Sequence, residues 1–202
     1  MFKGLIQGPN HTEPWPWLQV DDVIEDWNNL LPDFKTYSPK HNEPTTGKAR
    51  KGLLSVIMKD GDERLTPKLQ EFVANAETWL DKNSKEILSY WPGGRGFNDL
   101  PTEVEVQITR QLPAPYRFNV HQESLLKYWS CVIYVQPDYG AGTGIYVGPE
   151  MKSRWGQCTW KPNRAFIFAG REGETYHDYE GVIDESRITV NLFIMKYKEK
   201  SL

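Results

Sequence analysis

The stretch Asn119-Val120-His121-Gln122-Glu123 places an imidazole and a carboxylate two residues apart. In an extended strand, residues i and i+2 project to the same face. His121 and Glu123 then stand side by side as two ligands of a 2-His-1-carboxylate facial triad, the arrangement that leaves open positions on a non-haem Fe(II). The third ligand must be another histidine. The chain has four, His11, His41, His121 and His177, and only His177 lies well downstream within strand-like sequence. Ten residues beyond it, Arg187 opens Arg187-Ile-Thr-Val-Asn-Leu-Phe-Ile194, the strongest strand signal near the C-terminus. A second His-x-Glu, His11-Thr-Glu13, precedes Pro14 and has no strand pattern around it, so it is set aside.

Such a site needs strands to position it, and the pattern supplies them from residue 102 onward. Glu103-Val-Glu-Val-Gln-Ile-Thr109 alternates, and Lys127 to Val135 is rich in β-formers. Further runs lie at 143–147, 155–160, 165–168, 175–179 and 187–195. With the strand at His121 these make eight short strands divided by Gly, Pro and Asp turns. Upstream the character differs. Residues 1–20 are rich in Pro and Trp and read as an irregular or short-stranded lead-in. Apolar residues at 20, 23, 24, 27, 30 and 31 predict a helix over Val20–Leu31, stopped by Pro32. Residues 35–52, with a basic cluster at Lys48, Arg50 and Lys51, read as loop. Thr66-Pro67 is a helix start, an N-cap hydroxyl followed by Pro at N1, and opens the longest helix, to about Tyr90. Pro92-Gly-Gly-Arg-Gly96 then reads as a turn, because it lacks the Lys-Ser/Thr of a phosphate loop. Helices first and strands afterwards, without βαβ alternation, predict an α+β, mainly β fold: a jelly roll flanked by N-terminal helices. A chain of 202 residues with 39% apolar content supports one domain, with residues 1–101 as helical and loop support and 102–196 as the core.

The charge balance excludes one class of partner. A net charge of -3 with mixed signs offers no basic footprint for nucleic acid, and Lys196, Lys198 and Lys200 read as a solvated tail. No apolar run reaches membrane-span length, and no charged, then apolar leader opens the chain. Cys131 and Cys158 sit in predicted strands as buried thiols, so a cytoplasmic protein is expected.

The joint pattern resembles the Fe(II)- and 2-oxoglutarate-dependent dioxygenases, in particular their prolyl-hydroxylase-like branch, over roughly residues 103–196. The resemblance implies a double-stranded β-helix with iron on His121, Glu123 and His177. It implies that Arg187 binds the far carboxylate of 2-oxoglutarate, a task for which its planar fork suits it. Thr189, two residues on, and Tyr134, in Cys131-Val-Ile-Tyr-Val-Gln-Pro-Asp138, match positions that contact the same carboxylate in the family. Gly140-Ala-Gly-Thr-Gly144 looks like the turn into its fourth strand, and Lys161-Pro-Asn-Arg-Ala-Phe-Ile-Phe168 like its sixth strand. The implied reaction couples decarboxylation of 2-oxoglutarate, with O2, to C–H hydroxylation of a substrate; a prolyl peptide, a free amino acid, a nucleotide and a small metabolite all remain open. One departure is Glu123, where Asp is commoner; halogenating relatives lack this carboxylate, so Glu123 argues against halogenation. Two rival readings remain: a jelly-roll binding module without turnover, and a cupin-type metalloenzyme, which typically shows His-x-His.

Overall fold

Leu69, Phe72, Val73, Ala76, Leu80, Ile87 and Leu88 form one buried stripe along a helix of 23 residues, Pro67–Ser89. The Thr66 hydroxyl accepts from the Leu69 amide at 3.3 Å and caps it. This is the long helix expected from the sequence. A computed structural model describes residues 2–37, 53–59, 62–94, 102–113, 117–182 and 184–197. Residues 38–52 of the expected loop, with His41, lie outside the described residues, as do Arg95, Gly96, Lys198 and Lys200.

In chain order the elements are β1 (Trp17–Val20), α1 (Trp27–Thr36), β2 (Leu53–Met58), α2 (Pro67–Ser89), β3 (Thr102–Gln111), β4 (Arg117–His121) and β5 (Lys127–Gln136). There follow β6 (Thr143–Tyr146), β7 (Arg154–Cys158), β8 (Ala165–Ala169), β9 (Tyr176–Glu180) and β10 (Arg187–Lys196). All eight expected strands are present. They form two antiparallel sheets, ordered β1-β8-β5-β10-β3-β2 and β4-β9-β6-β7. The result is a mainly β, jelly-roll-like sandwich in which consecutive strands from β3 onward are shared between the two sheets.

The two faces of the larger sheet divide the work. Val106, Ile108, Cys131, Ile133, Val190 and Leu192 point outward and are buried in the main core with the stripe of α2. Period-2 alternation sends their neighbours inward, where Tyr134, Phe166 and Phe168 pack against Ile145 of the smaller sheet. The helices therefore brace the outer face and leave the inner face for the site. Among the described residues, no helix is long and apolar enough to cross a membrane.

Two expectations need correction. The helix expected over Val20–Leu31 begins only at Trp27 and runs through Pro32 to Thr36. Val20 instead ends β1, paired with Ala165. The reason is tertiary: Asn163 accepts from the amides of Val23 and Ile24 and donates to the Ile24 carbonyl, claiming backbone groups that a helix would use. Second, β2, a Leu-Leu-Ser-Val-Ile-Met strand outside the eight expected, forms one edge of the larger sheet, while β1 at the other edge falls in the lead-in expected to be irregular or short-stranded.

Gly142, at the turn into β6, has φ +76°, and a Cβ there would lie 2.0 Å from the Cys158 carbonyl oxygen. Backbone cannot move aside as a side chain can. Gly142→Ala should cost about 3–5 kcal/mol, the range of strained, overpacked sites. A thermal melt should show it as a drop of roughly 10 °C for a chain of this size.

Candidate active site

β4 and β9 are neighbours in the smaller sheet, and their register sets His121 opposite His177. The two ring centres are 4.3 Å apart. Each Nδ1 lies against a carbonyl two residues back, His121 on Asn119 at 2.9 Å and His177 on Thr175 at 3.0 Å. A carbonyl only accepts, so each Nδ1 carries the proton and each Nε2 the lone pair, the tautomer a metal needs. Burial lowers the pKa of His177 against the opposing pull of Glu123, which favours the neutral ring.

Glu123 arrives by a different route from the one its spacing implies. β4 ends at His121, so Glu123 stands in the following loop and not on the strand. The chain turns away at Gln122, whose side-chain amide donates to the Arg171 carbonyl at 3.2 Å. The longer arm of Glu still reaches the histidines: Oε1 lies 4.0 Å from His177 Nε2. Oε2 is taken by Lys127, at 2.9 Å. Burial raises the Glu123 pKa, but the positive charge of Lys127, helped by the two imidazoles once protonated in acid, outweighs it and holds the carboxyl down at about 2. Among the described residues, no three His, Cys, Asp or Glu side chains converge as a ready-made metal cage. The donor set nevertheless fits a divalent ion. It offers two imidazoles in the right tautomer and one carboxylate, and the 4.0 Å between Glu123 Oε1 and His177 Nε2 would have to close by about 1 Å for cis ligand bonds of about 2.1 Å. His11 stacks on Trp17 instead, with ring centres 3.7 Å apart, and does not line this cavity.

The histidines open onto a cavity of about 570 Å³ between the sheets, lined also by Glu123, Lys127, Arg187 and Thr189. Arg187 is only 4% exposed. Its guanidinium lies 4.3 Å from the Tyr179 ring centre, 4.9 Å from Trp160 and 5.9 Å from Tyr134. Its Nε makes no hydrogen bond, and among the described residues no carboxylate pairs with it. Burial lowers its pKa, but guanidinium keeps its charge in proteins. A dry cation without an anion is costly, and an anionic ligand would relieve the cost. Thr189 faces the same space. Tyr134 stacks on Trp160, with ring centres 4.4 Å apart, and its hydroxyl donates to Thr143 at 2.7 Å instead of lining the cavity.

The sequence reading passed over a polar row beside this cation. Asn191 donates to Thr109 at 2.9 Å, and Ser55 of β2 meets the same Thr109 hydroxyl at 3.0 Å. With Gln107 they line the cavity. The signal was visible: in Glu103–Thr109 and in Arg187–Asn191 every second residue is polar, although the other face is core. Lys127 had no such signal, because its partner is chosen by a turn.

No family model and no curated protein matches the chain. Solved structures do. A prolyl-4-hydroxylase from Pseudomonas putida superposes with a TM-score of 0.59 at 13% identity, covering 90% of this chain and 92% of its own. The chain has the fold of a prolyl hydroxylase. A Trichoplax adhaerens prolyl hydroxylase, in complex with a hypoxia inducible factor oxygen degradation domain peptide fragment, gives 0.58 at 10% identity over 89% of this chain and 83% of that one. A 2OG-Fe(II) oxygenase family oxidoreductase from Burkholderia pseudomallei gives 0.54 at 12% identity over 90% and 84%. The shared prolyl-hydroxylase-like fold therefore includes the N-terminal half, beyond the roughly 103–196 that carried the sequence resemblance.

Proposed function

We propose that the chain is an Fe(II)- and 2-oxoglutarate-dependent oxygenase that hydroxylates a C–H bond of a prolyl peptide or free amino acid. In this reading residues 102–196 form a double-stranded β-helix that carries the site, and residues 1–101 support it in one domain. The observation that carries it is Arg187: a buried guanidinium without a carboxylate partner among the described residues, in one cavity with the His121–His177 pair. A dicarboxylate with one end at the histidines and the other on Arg187 satisfies both ends at once. The fold neighbours add support, and the Trichoplax structure with its peptide supports a peptide substrate. Two unpaired buried thiols, Cys131 and Cys158, suit a reducing compartment such as the cytoplasm.

His121, Glu123 and His177 would hold the iron, which supplies the oxidative chemistry when bound. The chain's residues do the rest. The Asn119 and Thr175 carbonyls keep the ligand tautomers. Arg187, stacked among Tyr179, Trp160 and Tyr134, receives the far carboxylate of the cosubstrate, with the Thr189 hydroxyl beside it. Asn191, whose amide donates to Thr109 and Gln107, lines the same cavity.

The test is turnover. Iron-loaded protein given a two-electron reductant such as ascorbate, which carries the second oxygen atom to water, should convert 2-oxoglutarate and O2 to succinate and CO2 slowly without substrate. A panel of free amino acids and proline-containing peptides should show which class accelerates it. If the iron-loaded protein binds neither 2-oxoglutarate nor an analogue, the enzyme reading fails and a jelly-roll binding module is the better account.

A further inference from the structure

We infer that Lys127 stands in for the metal cation in the metal-free site and competes with the metal for Glu123. This rests on the iron-site reading above. The pair is built into the chain. Glu123 lies past the end of β4, and the turn back to Lys127 is closed by the Lys127 amide on the Ser124 carbonyl at 2.9 Å and the Leu126 amide on the Ser124 hydroxyl at 3.3 Å. Lys127 then enters β5, opposite Met195 of β10, so its backbone is held by the larger sheet. Its ammonium sits 2.9 Å from Glu123 Oε2 and 3.6 Å over the Phe193 ring. The two side chains are 19% and 13% exposed, so solvent and salt screen the pair little.

Charge counting gives the direction. The candidate ligands are two neutral imidazoles and one carboxylate, a sum of one negative charge, which Lys127 already cancels. Glu105 and Arg187 are the other charged groups lining the cavity. A divalent ion at the histidines must share the single Glu123 carboxylate with an ammonium, and the two cations repel. Two effects of Lys127 oppose each other. An outer partner that orients a ligand usually strengthens metal binding. Lys127, however, is a full cation on that ligand, and in its absence a metal would meet a buried carboxylate without an ammonium already on it. Competition therefore outweighs orientation. The arrangement keeps the metal-free site neutral and folded, at the expense of metal affinity.

The experiment is divalent-metal titration of the full chain by calorimetry, with Mn(II) as the probe and no cosubstrate present. Lys127→Met should bind Mn(II) at least about tenfold more tightly than wild type. Lys127→Arg, which keeps the charge, should stay within about threefold of wild type. In the metal-free state Lys127→Met should melt at a lower temperature than wild type and gain more on adding Mn(II). Lys127→Gln, which keeps an N–H donor with the charge removed, should repeat the gain in affinity. Mn(II) binding by wild type with no gain in either neutral variant overturns this inference and leaves the iron-site reading standing. Mn(II) binding by none of the proteins overturns both.

Discussion

Replacing Arg187 by methionine should weaken 2-oxoglutarate binding by about 30- to 4000-fold, the equivalent of about 2–5 kcal/mol for a truncated, desolvated charge pair. The same change should leave the ligand-free protein as stable as wild type or more so. The two signs follow from one observation. Arg187 is 4% exposed, its Nε is unsatisfied, and no carboxylate among the described residues compensates it. Burying that charge costs stability in the empty protein, and the cost is recovered when an anion binds. Methionine fills much of the volume without the charge, so the aromatic walls of Tyr179, Trp160 and Tyr134 keep a packing partner. Calorimetry with 2-oxoglutarate and a thermal melt of the empty protein measure the two halves. Unchanged affinity would remove Arg187 from the cosubstrate site. A large loss of stability would mean that the guanidinium is structural.

His121→Ala and His177→Ala should each reduce metal-dependent succinate formation by more than about 100-fold, because even outer partners of a metal ligand are worth 10–100-fold. Divalent-metal affinity should fall with it. The register that sets these rings opposite each other, 4.3 Å apart, means that losing either leaves one imidazole and a carboxylate already shared with Lys127. His11→Ala is the control. His11 stacks on Trp17 outside the cavity, so the variant should retain both metal binding and turnover. Succinate formation at the wild-type rate in either His121→Ala or His177→Ala would remove that histidine from the site.

Much of this was legible before any coordinates. Alternation marked β3, and β-forming runs between Gly, Pro and Asp turns marked the later strands, because both signals are local and need no distant information. The Thr66-Pro67 start of α2 was equally local, a hydroxyl cap and a proline whose missing amide costs nothing there. The residue types at 121, 123, 177 and 187 pointed to the chemistry, since two imidazoles, a carboxylate and an arginine have few other joint uses. What required the tertiary structure was every choice of partner. The pairing of His121 with His177 depends on β4–β9 register, which is settled by packing across the sandwich. The start of α1 was moved to Trp27 by Asn163, far along the chain, whose side chain outbids local helix propensity for the backbone of Ile24. Glu123 left its strand, and Lys127 took one of its oxygens, through a turn that spacing alone does not reveal. That no carboxylate among the described residues pairs with Arg187 was least visible of all, because a counter-charge is set by strands that meet only in the folded sandwich.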